Sequence, residues 1–335
     1  MTSTKVEVKA FPEARAGPAD LCGGPVRKTD PTMTAMTLLL PPRLTASAAT
    51  LGEAAGRRGI PRVQLPTFEV PRGLRATHLH AGPSFADAVA PALGIAPLEA
   101  PADWLAKLPH DLVRREIRTM PIRDAYALRR PVFVKSPNDK SIAARVYADG
   151  SRLPGPDAVD PDTLVLAADV VTFDVEYRLY LLDGEVRTGS RYADGGSLRL
   201  GPLTPDAASF GAELLARAGT TLPSAIVVDI GRTDGHWAVI EANAAWASGA
   251  YAADPDLALD TVLRAAGPLA EVAPDDRPFI RPAARSPGLP HAPPGLPYAP
   301  PDLPYAPPDL LPASSAPAHP VCRAASRLCT SSGVR

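Results

Sequence analysis

Apolar positions along this chain come in short runs broken by proline, glycine and polar turns. That rhythm predicts many brief elements rather than long helices. Residues 37–40 form one such run, closed by Pro41 and Pro42. Small apolar residues continue over 46–57, with Gly59 just beyond, and predict a helix. Residues 62–65 and 76–80 predict short strands. Ser84 to Asp87 opens a second helix that runs to Leu93 and closes on Gly94. Strand and helix thus alternate through residues 36–100, as in a small α/β unit.

Beyond residue 100 the pattern changes. Segments 102–107, 111–118 and 122–129 predict helices, the first two flanking Pro109. After Pro131, Val132, Phe133 and Val134 lead into Lys135, a buried-type strand that ends on a charge. Residues 145–147, 163–167, 177–182 and 185–187 predict antiparallel strands, with Asp183 and Gly184 as a hairpin turn. A helix is expected over 207–218 and a strand over 224–230. The turn Thr233, Asp234, Gly235, His236 then returns the chain through 237–241, and a last helix covers 257–266.

The two ends lack such patterning. Residues 1–35 are polar, interrupted by Gly and Pro, and are expected to be disordered. Met36 opens a different composition and is a plausible alternative translation start. From Gly288 the chain repeats GLPHAPP, GLPYAPP, DLPYAPP and DLLP with a period of seven residues. Proline at this density excludes helix and sheet, so residues 281–335 read as a disordered, polyproline-II-like tail. It is either a solvated low-complexity segment or a ligand for an SH3-like groove.

Composition narrows the function classes. The 335 residues suffice for about two domains of roughly 100–200 residues each. Thirty-five Lys and Arg against 36 Asp and Glu leave a formal net charge of −1, which argues against a polybasic nucleic-acid binder. No apolar run reaches the roughly 18–20 residues of a membrane span. Cys22, Cys322 and Cys329 all lie near the ends, so a disulfide framework or zinc site in the body is excluded and a reduced, cytoplasmic setting is expected. Nothing sets an oligomeric state. Between residues 36 and 280 the only lysines are Lys107, Lys135 and Lys140, so two lysines in one short segment stand out.

Three constellations carry candidate chemistry. Asp229 ends an apolar strand, and the returning strand delivers Glu241 and Asn243, which alternation places on one face. Two carboxylates and an amide oxygen converging there make a hard-oxygen site suited to Mg²⁺. Lys135, at the end of a buried strand, needs an anionic partner: a nucleotide phosphate or a carboxylate. Lys140 lies in the following loop, within reach of the same phosphates. In Val-Glu-Tyr-Arg-Leu-Tyr, Glu176 and Arg178 face one side and Val175, Tyr177 and Leu179 the other. Arg178 suits a planar carboxylate or acyl-phosphate, or else pairs with Glu176 on the surface.

In this order (a strand ending in Lys, then E-x-R, then D…E-x-N on a last hairpin) the chain resembles the ATP-grasp superfamily. PVFVKSPNDK, VEYRLYLLDGEV and VVDIGRTDGHWAVIEANAAWASGAY are similar to a bacterial ATP-grasp domain family known mainly as a domain of unknown function. ADWLAKLPHDLVRREIR fits the same family, and the likeness spans about residues 36–268. It implies an α+β ATP-grasp fold. A Rossmann-like domain over 36–100 would precede an ATP-grasp domain over 101–280, whose two α+β subdomains clasp ATP. Lys135, Lys140, Asp169 and Glu176 are then expected at the nucleotide, and Asp229, Glu241 and Asn243 at Mg²⁺. Arg178 is expected to be catalytic, stabilising a phosphorylated intermediate.

One feature departs from the family: Ser136 to Ser141 contains no glycine where a glycine-rich flap is common. The expected function is an ATP- and Mg²⁺-dependent ligase that joins a small-molecule or peptide carboxylate to an amine through an acyl-phosphate. The alternatives are a non-catalytic ATP-binding regulatory module and an interaction protein that uses its proline-rich tail.

Overall fold

The computed structural model describes residues 36–138 and 141–282. The N-terminal tail, Lys140 and the C-terminal tail from residue 283 lie outside the described residues; Arg281, expected in that tail, instead belongs to the folded part, where its guanidinium is paired. The first elements are β1 (Leu38–Leu40), α1 (Ala46–Arg57), β2 (Arg62–Gln64), β3 (His78–Leu79) and α2 (Pro83–Leu93). The strands form a parallel sheet in the order β2-β1-β3. β1 is buried throughout, as a parallel strand covered on both faces must be. Thr45 Oγ1 accepts from the backbone N of Ala48 and starts α1, and Gly94, at φ 66°, ends α2. Strand and helix alternate through these elements, as the sequence pattern leads one to expect.

β4 (Ile95–Pro97), α3 (Trp104–Lys107), α4 (His110–Val113), β5 (Ile117–Pro121), α5 (Ile122–Ala125), β6 (Val132–Lys135), β7 (Arg145–Tyr147) and β8 (Leu164–Ala168) follow. The order β5-β8-β6-β7 makes a four-stranded antiparallel sheet. Here the sequence expectation needs correction. The helix expected over 111–118 stops at Val113, because Arg114 takes a left-handed conformation at φ 53° and turns the chain into β5. The helix expected over 122–129 likewise ends at Ala125.

β9 (Val175–Leu182), β10 (Glu185–Asp194), β11 (Ser197–Pro202), α6 (Pro205–Ala218), β12 (Ala225–Thr233), β13 (His236–Asn243), α7 (Pro255–Ala265) and β14 (Ala266–Pro268) complete the fold. Five of these strands form an antiparallel sheet, β11-β10-β9-β12-β13, and β14 pairs with β4. Asp183-Gly184 and Asp234-Gly235 sit at positive φ in the two hairpin turns, as expected of Asp-Gly. β10 is much longer than the expected 185–187, and β11 was not anticipated. Register shifts near Arg187 and Tyr192 break the alternation of β10, and β11 is an edge strand exposed along nearly all its length, with no buried stripe to mark it.

The two faces of the five-stranded sheet bury different cores. Tyr177, Leu179, Val228, Ile230 and Val239 pack with Phe210 and Leu214 of α6. Tyr180, Ala225 and Val227 face the opposite way and join β1, α1, α2 and α7 in a second core. The hairpin of β12 and β13 does not keep one register. Arg232 pairs with Trp237 and Ile230 with Val239, but Asp229 pairs with Glu241 and Val227 with Asn243. Ile240 is therefore an extra residue, a β-bulge. Strict alternation from Trp237 and Val239 would put Glu241 and Asn243 on the α6 face. The bulge turns them onto the face of Asp229 and Arg178.

A final segment closes back over the first unit. Arg281 donates to Asp87 through Nε (2.7 Å) and to Glu99 through Nη1 (2.6 Å). Burial pushes the Glu99 carboxyl above its ordinary range, with Arg281 opposing the shift. Arg281→Ala should cost about 1–3 kcal/mol, less than the ~3–5 of a fully buried pair because all three groups keep some water contact. The sign of its pH dependence follows from Glu99. A raised folded-state pKa means the folded protein binds the proton more readily, so stability falls as pH rises. Without Arg281 that fall should deepen, and thermal melting should show a larger deficit for the variant at pH 8 than at pH 5.

Candidate functional site

One row across the five-stranded sheet carries Ser190, Arg178, Asp229 and Glu241, each opposite the next on β10, β9, β12 and β13. Arg178 grips Asp229 in a two-pronged ion pair, Nε to Oδ1 and Nη2 to Oδ2, both 2.8 Å. Lys135 enters from the other sheet, at the end of β6, and pairs with Glu241 Oε2. Asn243 joins the two pairs: its Nδ2 donates to Glu241 Oε1 (2.9 Å) and to Asp229 Oδ2 (3.2 Å). Lys135 and Asp229 are both buried. The nearest partner of each cation is thus a carboxylate of the same cluster.

The surroundings separate the two carboxylates electrostatically. Burial pushes Glu241 up, but Lys135 overrides it through its charge and hydrogen bond. Asn243 and the field of Arg178 help to bring the carboxyl down to about 2. Asp229 moves the other way: burial raises it, against the attraction of Arg178. Glu176 also rises, through burial and the repulsion of Asp229 and Glu241, against a hydrogen bond that it accepts from Tyr192 (2.6 Å). The Tyr192 ring stacks on Tyr251 at 5.0 Å, and the Arg178 guanidinium lies 4.9 Å from the Tyr251 ring centroid. Arg178 Nη1 donates in addition to the Gly249 carbonyl (3.3 Å).

Six of the eight expected residues therefore converge: Lys135, Glu176, Arg178, Asp229, Glu241 and Asn243. Asp169 does not. It follows β8, where Ala168 pairs with Phe133, so it lies toward the start of β6 while Lys135 is at its end. Its Oδ1 accepts from Arg130 (2.9 Å) and its Oδ2 from the backbone N of Glu116 (3.2 Å), a link between strands away from the cluster. Lys140 lies outside the described residues. The surface pair Glu176–Arg178 is also corrected, since each finds a different partner. Tyr192, Tyr251 and Arg115 escaped sequence reading. Tyr192 sits at a break in the β10 register, Tyr251 at φ 50° in a loop, and Arg115 inside the segment expected to be helical.

Among the described residues no group of three or more His, Cys, Asp or Glu side chains is placed to hold a metal. Asp229, Glu241 and Asn243 together could offer a cation two carboxylates and one amide. Hard oxygens of this kind fit Mg²⁺ when phosphate and water complete the shell. Asn243 now turns its nitrogen to both carboxylates, so giving its oxygen to a cation requires the amide to rotate.

Residues 112–261 match a family model described as an ATP-grasp domain, the second family of its clade. This segment contains all six converging residues. A search of curated proteins finds no match. Among solved structures, D-alanine–D-alanine ligase from Bacillus anthracis aligns at 12% identity, over 70% of this chain and 97% of that one, with a TM-score of 0.41. A RimK domain ATP-grasp protein from Sphaerobacter thermophilus aligns at 14% identity over 68% and 100%, with a TM-score of 0.41. The ATP-grasp ligase PsnB, solved with its minimal precursor, aligns at 15% identity over 69% and 100%, with a TM-score of 0.40.

The Lys135–Glu241 pair reverses a stability expectation. From the sequence, two carboxylates near each other repel, and Glu241→Gln is expected to leave the ligand-free protein unchanged or slightly more stable. With Lys135 buried against Glu241, the substitution instead orphans a cation and should cost about 1–3 kcal/mol at pH 7. A depressed carboxyl pKa gives stability that is present above the unfolded value and lost as pH falls. The gap between wild type and variant should therefore close as pH drops from about 5 toward 2, which denaturant titrations at several pH values would measure.

Proposed function

Taking residues 112–261 as an ATP-grasp domain, we propose that the protein is an ATP- and Mg²⁺-dependent ligase that joins a carboxylate to an amine through an acyl-phosphate. The observation that carries this reading is the half-buried cluster in which Asp229 and Glu241 are held by Arg178 and Lys135. It offers oxygen donors for a cation and a lysine for phosphate in one place. Asp229, Glu241 and Asn243 would hold Mg²⁺, Lys135 would take nucleotide phosphate, and Arg178 would steady the charge that builds on the transferring phosphoryl group. The nucleotide, when bound, supplies the phosphoryl group that makes the substrate carboxylate a good acceptor for the amine.

The protein's own contribution is positioning and charge neutralisation. Arg178 is fixed on four sides by Asp229, the Gly249 carbonyl and the rings of Tyr192 and Tyr251, so it meets developing negative charge without reorganising. Lys135 is held by a single carboxylate and can change partner. The substrates are small-molecule or peptide carboxylates and amines. Nucleic acid has no part in this reading, since no strong positive charge balance marks the chain. Among the described residues no helix is long and apolar enough to cross a membrane.

A second reading is a nucleotide-binding module without turnover. It is favoured by the segment after Lys135, which lacks glycine and is tied down at its described positions. Ser136 Oγ accepts from the backbone N of Ile142 (2.7 Å), and Asn138 Nδ2 donates to the Ala100 carbonyl (2.9 Å). Calorimetry with a non-hydrolysable ATP analogue should give micromolar to millimolar affinity that depends on Mg²⁺. Glu241→Gln should weaken it on the order of ten- to hundredfold. No heat and no thermal shift at millimolar ligand would sink both readings. Phosphate release that requires an added carboxylate and amine separates the ligase from the module.

A further inference from the structure

β13 is the edge strand of its sheet, and at the Ile240 bulge one buried side chain meets two successive main-chain carbonyls. Arg115 Nη1 donates to the Val239 carbonyl and Nη2 to the Ile240 carbonyl, both at 2.9 Å. Nη1 also donates to the carbonyl of Val113 (2.8 Å), at the end of α4. Arg115 is 8% exposed, and its guanidinium carbon lies 5.5 Å from the centroid of the Phe173 ring. Phe173 and Ile240 close over Gly231: a Cβ there would stand 2.7 Å from Phe173 Cδ1 and 3.0 Å from Ile240 Cδ1. The bulged residue is thus packed as well as hydrogen-bonded.

A guanidinium is a costly group to bury here. All three of its hydrogen bonds go to neutral carbonyls, and burial lowers its pKa to about 10 while the charge of Glu241 raises it. Carbonyl oxygens with no ladder partner are themselves expensive in an interior. A planar fork meets two successive carbonyls from two separate nitrogens; an apolar side chain meets neither, and an ammonium must serve both from one point. The left-handed turn at Arg114 brings the fork to this point by ending α4 one residue earlier.

We propose that Arg115 is a positioning residue: it fixes the one-residue bulge at Ile240 and so holds Glu241 and Asn243 on the face of Asp229, Arg178 and Lys135. Its effect on nucleotide binding rests on the function proposed above; its effect on register does not.

Two measurements on the full chain test it. The first uses no ligand. In Arg115→Met, amide hydrogen exchange at residues 239–242 should rise about tenfold or more beyond any change in the β9–β12 pairs. A rise no larger than that of β9–β12 means general destabilisation and overturns the proposal. If Arg115→Met does not fold, Arg115→Lys is read instead. It keeps a cation but has a shorter reach and all its donors on one nitrogen, so exchange at 239–242 should still rise selectively, and unchanged protection overturns the proposal. The second measurement is the ratio of affinities for a non-hydrolysable ATP analogue with and without Mg²⁺. The Arg115 variant that folds should cut this ratio about tenfold in the wild-type background and less than about twofold in Glu241→Gln. An equal cut in both backgrounds shows that Arg115 does not act through Glu241 and overturns the proposal. If wild type shows no nucleotide binding, the function proposed above fails, and hydrogen exchange alone decides the role of Arg115.

Discussion

Four charges meet where Lys135 of the four-stranded sheet reaches the five-stranded sheet, and they must cancel in place. Lys135, Arg178, Asp229 and Glu241 are linked by ion pairs and through Asn243. A buried ion left alone costs several kcal/mol, more than most single contacts return. The sheets therefore cannot separate or slide without stranding a charge: Lys135 comes from β6 and its partner Glu241 from β13. Such a pair is weak evidence for net stability; what it does is match a charge on one sheet to its opposite on the other while the cluster holds no ligand.

Irregular strands build that cluster. The five-stranded sheet shifts register near Arg187, Tyr192 and Ile240, and each shift serves something beyond the ladder. Arg187 reaches Asp260 on α7 (2.7 Å), Tyr192 reaches Glu176, and Ile240 moves Glu241 and Asn243 to the other face. A regular antiparallel sheet alternates one set of side chains inward and one outward. This sheet must bury α6 on one face and gather charges on the other, and the β13 bulge lets one strand serve both.

These irregularities also explain what the sequence did and did not reveal. Alternation alone correctly put Glu176 and Arg178 opposite Tyr177 and Leu179. It also put Glu241 and Asn243 on one face, since the two lie beyond the bulge. That this was the face of Asp229 could not be derived, because counting back from the Asp234-Gly235 turn pairs Asp229 with Ile240. Register shifts likewise hide the length of β10, whereas β11, exposed along nearly all its length, offers no buried stripe. Arg115 was hidden by helix-favouring neighbours; only the left-handed Arg114 shows that the chain turns there. Asp169 was assigned from family likeness without a local physical signal, and the structure gives it a different partner.

The cancelled charges bear on how a metal and a nucleotide would enter, on the ligase reading. A divalent cation arriving alone at Asp229 and Glu241 would strip Lys135 of its carboxylate and leave a buried ammonium beside a second cation. A polyphosphate arriving alone at Lys135 would leave Glu241 unpaired and facing more negative charge. Arriving together they exchange partners: the cation takes the carboxylates, the phosphate takes the lysine, and no buried charge is orphaned. Each ligand would then favour the other, by a coupling of about 1–3 kcal/mol if it is of ordinary size. Arg178 differs from Lys135 in this respect. Besides Asp229 it is held by the Gly249 carbonyl and by the Tyr192 and Tyr251 rings, none of which a cation at the carboxylates would take. One cation is thus mounted to move between partners and the other to stay, a division suited to a site that must admit a charged ligand and then stabilise charge on it.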